Sequence, residues 1–168
     1  MQVLDGVLAH NGEQLQSRYE PDTGKDWDRF LDEYSKCWKV KNFSTGIVPM
    51  TLEGCVVKVS DIISYIGRDI EDAITVRMIK REDIPKGIVK VLGNNNRDII
   101  NKLIRDIVLN SYDKPYLSFS KDVYDALNEL FDFNRERIYN NPFKTKENGK
   151  IKNMFKLLFE TYIKQLNE

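Results

Sequence analysis

Apolar residues recur every three or four positions along nearly the whole chain, which is the spacing of one buried face of an α-helix. The segments between these patterns are rich in Gly, Asn, Ser and Pro, which favour turns. We interpret 17–25 as a polar loop, 93–96 as a helix-ending turn and 116–119 as a short extended connector, with Ser120 as the N-cap of the helix that follows. We predict helices at residues 1–9, about 26–40, about 52–79, 97–111, about 121–139 and about 150–166, and a short helix beginning at Pro85. The expected fold class is therefore all-α, with residues 1–168 forming a single multi-helix domain.

The helix predicted at about 52–79 has the longest apolar stripe. Thr51 precedes it and is a suitable N-cap, because its hydroxyl can accept a hydrogen bond from the first turn. The stripe residues are Leu52, Cys55, Val56, Val59, Ile63, Ile66, Ile70 and Ala73.

The final predicted helix is amphipathic, so it could either close the core or form an interface. Core closure is the interpretation we favour. The apolar positions are Ile151, Met154, Phe155, Leu158, Tyr162 and Leu166.

Charge and composition narrow the range of functions. Lys plus Arg and Asp plus Glu both number 26, so the formal net charge is zero. This argues against a protein that mainly coats nucleic acid or an anionic membrane, although a local basic surface remains possible. No apolar run reaches the roughly 18–20 residues of a membrane span, and the first residues do not resemble a signal peptide. We expect a cytoplasmic protein whose two cysteines, Cys37 and Cys55, are free buried thiols.

Asp61, Tyr65, Asp69 and Asp72 follow one another at spacings of four, four and three. On a helix these positions share one side, beside the apolar stripe. Carboxylates at the edge of a buried face can bind a hard cation or polarise a water molecule. A solvated polar face is the alternative, since such stripes are common.

His10, the only histidine, is another candidate for catalysis or ligation, although a surface histidine at a turn is the frequent case. Several arginines on predicted polar faces could contact phosphate. These are Arg97, Arg105, Arg135 and Arg137. No phosphate-binding loop, nucleophile elbow or clustered Cys/His metal motif occurs.

Residues 4–13 read LDGVLAHNGE, and residues 49–73 read PMTLEGCVVKVSDIISYIGRDIEDA. The first segment is similar to DG-[IV]-L-x-H-x-G-E and the second to the late helix TLEGCVVRxxDxIAYxxRDxEDA, both of which are found in the bacterial dGTP triphosphohydrolase-like proteins of the HD superfamily. The chain therefore resembles this family. Weaker similarity continues through Asn96–Ile100, Phe119–Ser120 and Arg137–Tyr139. The resemblance covers about 1–142 and leaves 143–168 as a terminal amphipathic helix.

This resemblance implies the C-terminal portion of an HD-type helical fold. Asp61 matches the last metal-binding aspartate, and Tyr65 and Asp69 match positions that contact the deoxyribose. Arg68 and Arg105 are further candidates for substrate contact. The implied substrate is a deoxynucleoside triphosphate, split into deoxynucleoside and triphosphate with a divalent metal, Mg²⁺ or Mn²⁺. The family commonly forms homo-oligomers, and no membrane association is implied.

The chain departs from the family because it has no His-Asp pair and no second histidine. One carboxylate cannot replace that metal-binding set, so we expect no metal-dependent turnover by this chain alone and expect the divalent metal to bind in the complete enzyme. A missing N-terminal HD segment or a partner chain would complete the site, and an exposed apolar surface should mark where it packs. The alternative is a non-catalytic helical module, derived from such an enzyme, that binds a nucleotide or a protein.

Overall fold

The all-α prediction is confirmed in a computed structural model that describes residues 1–11 and 14–167, without the side chains of 143–145 and 167. A short antiparallel strand pair accompanies the helices. The helices of this described part are α1 (Gln2–Ala9), α2 (Trp27–Lys39), α3 (Leu52–Thr75), α4 (Lys86–Leu92), α5 (Asn96–Ser111), α6 (Lys121–Asn134) and α7 (Pro142–Asn167). Single helical turns also occur at Phe43–Gly46, Arg81–Asp83 and Arg135–Tyr139.

Helix α3 is the centre of the packing, in contact with α1, α5 and α6, while α4 packs on α5 and α6. The Thr51 hydroxyl accepts a hydrogen bond from the Gly54 amide at 3.1 Å, so the predicted N-cap is confirmed. Most of the predicted stripe is buried, but Val56 is 47% exposed. The buried stripe residues are Cys55, Val59, Ile63, Ile66, Ile70 and Ala73.

Helix α3 ends at Thr75, four residues before the predicted end. Arg77 has a left-handed backbone with φ of 58°, which is incompatible with a continuing helix. The Met78 amide then donates to the Ala73 carbonyl at 2.8 Å, which satisfies the helix end. Ile79 turns back into the core, where it is 4% exposed.

The segment interpreted as a polar loop at 17–25 contains a strand, β1 (Arg18–Tyr19), that pairs antiparallel with β2 (Leu117–Ser118). Tyr19 is buried in the main core, and burial raises its pKa to about 12. The extended connector predicted before α6 is therefore one half of this pair. The interpretation of 17–25 as wholly polar missed Tyr19 because a two-residue strand has no periodicity.

The boundaries around α5 and α6 differ from the predictions in three details. Asn95 lies in the predicted helix-ending turn but caps α5, with its side chain accepting from the Asp98 amide at 3.0 Å. Ser120 stands at the start of α6, yet its hydroxyl donates to Asp106 at 2.6 Å and does not cap the helix. The helix predicted to run to 139 becomes a π-helical turn at Arg135–Tyr139.

The prediction that the final helix closes the core is wrong. Helix α7 begins at Pro142 rather than near 150, and every residue described from 148 to 166 is exposed. Its apolar side chains, including Phe155 at 64% and Leu166 at 81% exposure, lie in solvent. The core is already filled by the helices before it. Among the residues described, no helix has both the length and the hydropathy to cross a bilayer.

A buried ionic cluster joins the N-terminal elements. The Lys25 ammonium donates to Asp5 at 2.7 Å, to Glu33 at 2.8 Å and to the Val48 carbonyl at 2.7 Å. Asp5 also accepts from the Met50 amide at 2.7 Å. Because these charges are paired and hydrogen-bonded inside the protein, they tie α1, α2 and the segment before α3 into one unit.

Lys58 makes a second buried connection on α3. Its ammonium donates to the carbonyls of Ile47 at 2.8 Å and Thr45 at 3.2 Å, and burial lowers its pKa. Lys58 is 3% exposed, so it does not belong to the solvated polar face that is the alternative interpretation of this side of α3. Lys58 and the ionic cluster together hold the loop at 45–50 against the start of α3.

Candidate functional site

The polar edge of α3 lines a groove of about 570 Å³ that faces the end of α6. We call this the α3–α6 groove. Asp61, Tyr65 and Asp69 contribute to its wall, so three of the predicted site residues lie together. The remaining lining residues are Asn11, Ile62, Ile66, Phe131, Arg135 and Tyr139.

The local sequence explains this alignment. Four residues along an α-helix turn the chain by about 400°, so Asp61, Tyr65 and Asp69 lie one above another with a drift of about 40° per step. Ile62 and Ile66 are buried beside them and hold this face of α3 against the core. Tyr65 is 59% exposed, whereas both aspartates are half-buried. The groove thus has an apolar floor with polar groups along its edge.

Tyr139 closes the groove from the opposite side. Its hydroxyl donates a hydrogen bond to the Asp69 carboxylate. Burial and this hydrogen bond raise the pKa of Tyr139, so the phenol remains a neutral donor at physiological pH. The contact joins residues 70 positions apart and brings a second hydroxyl to the predicted sugar-binding acid.

The π-helical turn accounts for the position of Tyr139. A π-turn contains extra residues per turn and therefore changes which side chains face a neighbour, and such turns are frequent at functional sites. The turn at Arg135–Tyr139 directs both of its end residues to the α3–α6 groove. The sequence marks Tyr139 only as part of a segment similar to the family. Its place in the groove could not be predicted, because it depends on the change of side-chain direction that the π-helical turn produces.

Arg135 is the arginine that lines the groove. It pairs with Asp132 at 2.7 Å, and its side chain remains 57% exposed, so it retains access to an anion. Arg68 instead pairs with Asp72 at 3.2 Å along the outside of α3. Arg105 is exposed on α5, and neither Arg68 nor Arg105 lines the groove.

Three other predicted site residues lie apart from this groove. Asp72 is exposed and paired with Arg68, so it does not extend the Asp61–Asp69 row into the site. Arg97 is exposed at the start of α5, and Arg137 lies 3.9 Å from Asp83. Of the four predicted positions on α3, Asp61, Tyr65 and Asp69 therefore line the groove. Asp72 does not, because it is turned toward solvent.

A second groove, of about 900 Å³, lies between α1 and the first half of α3. We call it the α1–α3 groove. His10 and Asp61 both line it, and Asp61 is shared with the α3–α6 groove. The His10 Nδ1 donates to the Val7 carbonyl at 2.6 Å. Gly12 and Glu13, the end of the motif that begins at Leu4, lie outside the described residues.

The groove residues do not by themselves fit a divalent metal. Across the residues that the structure describes, no three His, Cys, Asp or Glu side chains converge as a metal-binding group. Asp61 can supply one carboxylate, with at most two oxygen ligands, whereas hard cations take about six. A metal at this position would need further ligands from outside the described chain.

The sequence is similar to several curated proteins that share one name. A deoxyguanosinetriphosphate triphosphohydrolase-like protein of Caldanaerobacter subterraneus is 41% identical over 126 residues, which are 73% of this chain and 37% of the relative. Proteins of the same name from Desulfatibacillum aliphaticivorans and Clostridium tetani are 31% and 34% identical over 99% of this chain. This chain is similar to dGTP triphosphohydrolase-like proteins.

That similarity covers less than half of each of these relatives, between 37% and 47% of their length. No family model matches the chain. No solved structure matches it either. The similarity with the Desulfatibacillum and Clostridium proteins extends over α7 as well as the helices that form the two grooves.

Proposed function

We propose that this chain supplies the nucleotide-binding side of a deoxynucleoside triphosphate triphosphohydrolase site. The observation that carries this proposal is the α3–α6 groove, in which Asp61, Tyr65 and Asp69 lie in a row and Tyr139 bonds to Asp69. The similarity to dGTP triphosphohydrolase-like proteins supports the same substrate class.

In this proposal each groove residue has a separate task. Asp69 accepts a hydrogen bond from a deoxyribose hydroxyl while Tyr139 holds the carboxylate in place. The exposed Tyr65 ring covers the sugar, and Arg135 offsets phosphate charge. Asp61 lies where the two grooves meet and serves as one metal ligand.

We further propose that this chain does not turn over substrate alone, and that an HD segment or a partner chain completes the site at the α1–α3 groove. The exposed apolar side chains of Val3 at 80%, Val7 at 64% and Val57 at 48% make this groove suitable for packing a further helix. A segment bound there would place its own ligands beside Asp61. The greater length of the relatives is consistent with such a segment.

The test of substrate binding is a titration of the purified chain with dGTP, followed by NMR chemical shifts or equilibrium dialysis. We expect binding that falls at least tenfold in Asp69→Asn, because the amide cannot replace the charge of the acceptor. Asp72→Asn is the matched control, since Asp72 is on the same helix but outside the groove. Equal effects of the two variants would contradict the proposed site.

Phosphorus NMR of the same chain with dNTPs and Mn²⁺ tests the proposal that this chain does not turn over substrate alone. We expect no inorganic triphosphate from the chain alone. Release of triphosphate that is lost in Asp61→Ala would show that the chain carries a complete site and would refute the need for a further segment.

A non-catalytic protein-binding module is the second candidate function. The apolar surfaces of α2 and α7, which are open in the described structure, favour it. Failure to bind dGTP, together with stable folding, would support this candidate over the nucleotide site.

A further inference from the structure

Asn134 is a polar residue at the end of α6 that is fully buried among apolar neighbours. It is 0% exposed, and Leu130 and Ile138, four residues before and after it, are buried in the core. Its side-chain amide donates a hydrogen bond to the Ile66 carbonyl of α3 at 2.9 Å. The bond joins residues 68 positions apart and is a directional link between α6 and α3.

Stability alone does not account for an asparagine at this position. Within the part of the chain that the structure describes, the Asn134 Oδ1 atom has no hydrogen-bond partner. The cost of leaving a buried amide oxygen unpaired is at least as large as the net gain from one hydrogen bond. The Ile66 carbonyl is inside α3, where the regular helical pattern pairs it with the amide four residues on. An apolar side chain of similar size at 134 would therefore leave neither polar group unpaired.

The hydrogen bond of Asn134 lies beside the α3–α6 groove on both helices. On α3, the Ile66 carbonyl is on the turn between Tyr65 and Asp69, and all three residues line the groove. On α6, Asn134 directly precedes the π-helical turn Arg135–Tyr139, whose two end residues line the groove from the other side. The bond is therefore placed where it can fix the height of this turn along α3.

A small shift of the π-helical turn would separate Tyr139 from Asp69. A displacement by one residue along an α-helix is about 1.5 Å, whereas a hydrogen bond between two oxygens forms only when they are about 2.5–3.0 Å apart. Apolar contacts between α6 and α3 are non-directional and tolerate such a shift. The amide of Asn134 does not tolerate it, because its hydrogen bond to the Ile66 carbonyl has a preferred direction and length.

We infer that Asn134 is a positioning residue for the α3–α6 groove, which holds the end of α6 against the Ile66 carbonyl so that Tyr139 meets Asp69. Its effect on a ligand is indirect, because Asn134 does not itself line the groove. The effect on the contact between Tyr139 and Asp69 needs no ligand. The effect on dGTP binding rests on the proposed function, in which Asp69 accepts from the deoxyribose.

The first test is Asn134→Leu, which keeps a side chain of similar size and removes the hydrogen bond. Urea unfolding should give a midpoint at least as high as that of the original chain. The pKa of Tyr139 is raised by burial and by the hydrogen bond to Asp69, so it should fall toward the ordinary value of 10.0. ¹³C NMR of the tyrosine Cζ resonances between pH 8 and pH 11, assigned with Tyr139→Phe, should show ionisation of Tyr139 in the variant and a neutral phenol in the original chain.

Two comparisons separate positioning from a general loss of packing. Tyr19 is in the main core with a pKa raised to about 12, and its titration should be the same in both proteins. Leu127→Ala removes buried volume about two turns earlier on α6, so it should lower the urea midpoint and leave the pKa of Tyr139 raised. Asn134→Ala repeats the test without a larger apolar side chain and should lower the pKa of Tyr139 as Asn134→Leu does.

Binding of dGTP measures the consequence for the groove. Asn134→Leu should weaken binding by about threefold or more. The double variant with Tyr139→Phe should bind no more weakly than Tyr139→Phe alone, because both changes remove the same contact. If the original chain does not bind dGTP, the proposed nucleotide site is wrong, and the titration of Tyr139 alone then decides the role of Asn134.

Three results would overturn the inference. The first is a pKa of Tyr139 that stays raised in both Asn134→Leu and Asn134→Ala. The second is a lower urea midpoint for Asn134→Leu with unchanged dGTP binding, which would mean that the asparagine serves the stability of the fold and not the groove. The third is an additive loss of binding in the double variant, which would mean that Asn134 does not act through Tyr139.

Discussion

Asp69 shows how a single side chain depends on a distant partner. Its position on α3 follows from local spacing, but the hydrogen bond from Tyr139 joins it to the turn after α6. A carboxylate with a fixed donor has fewer orientations available, which prepares it to accept from a ligand hydroxyl. The candidate site thus depends on the contact between Asp69 and Tyr139 as much as on the row of Asp61, Tyr65 and Asp69 along α3.

Glu71 is a residue whose contribution to stability should depend on pH. Its carboxylate accepts from Arg81 at 2.7 Å and from the Asn96 amide at 3.1 Å, and the Arg81 hydrogen bond is the main reason that its pKa is lowered. We expect Glu71→Gln to lower the free energy of unfolding by about 1–2 kcal/mol at pH 7.

The sign of the pH effect follows from the lowered pKa of Glu71. The stabilisation is present above the unfolded value of 4.5 and is lost as pH falls below it, so the difference between Glu71→Gln and the original chain should shrink in acid. Urea unfolding of both proteins at pH 7 and at pH 3.5 measures this difference in the free energy of unfolding. A difference that stays constant between the two pH values would exclude the ion pair as its cause.

A substitution at Lys25 tests how much the buried ionic cluster contributes to the free energy of unfolding. Lys25→Met leaves Asp5 and Glu33 without their shared cation, and we expect a loss of about 3 kcal/mol because buried unpaired charges are costly. Lys36→Met is the control, since Lys36 pairs with Asp32 at the surface and should cost less than about 1 kcal/mol. Similar urea midpoints for the two variants would mean that the cluster is not a stabilising connection.

At the scale of elements, α3 organises the molecule because three of its sides are used differently. One side is buried in the core, one forms the polar edge of the two grooves, and Gly67 allows close approach of α5. A Cβ at Gly67 would lie 2.6 Å from the Asn96 side chain and 3.2 Å from its Cα. The start of α5 therefore rests directly on the α3 backbone.

Two glycine substitutions test this element contact. Gly67→Ala should destabilise the protein by about 1–3 kcal/mol, because the backbone of α5 must move. Gly6→Ala, inside α1 with no atom within 4 Å of the added Cβ, should instead stabilise it by about 0.5–1 kcal/mol. Thermal unfolding of both variants checks the prediction, which fails if the two shifts have the same sign.

At the scale of the whole molecule, apolar surface is distributed unevenly. The core beneath α3, α4, α5 and α6 is well buried, while α1, α2 and α7 expose large side chains. Exposed apolar surface on this scale marks places where other protein packs. The molecule is therefore a stable helical body with open faces on its periphery.

Removal of α7 tests whether the body is independent of it. A chain ending at Asn141 should unfold cooperatively, with a free energy of unfolding within about 1 kcal/mol of that of the full chain, because none of the α7 side chains that the structure describes is buried in the core. Urea unfolding followed by circular dichroism makes the comparison. A non-cooperative transition would show that α7 is needed for folding.

Local spacing in the sequence determined the helices and the row of Asp61, Tyr65 and Asp69, because both depend on residues three or four positions apart. The cap at Thr51 was predictable for the same reason. Only the tertiary structure decided that Tyr139 meets Asp69, that Asp5 and Glu33 share Lys25, and that α7 lies outside the core. An apolar stripe specifies that a helix can be buried, but its partner depends on the space that distant segments leave, and here that space was already filled.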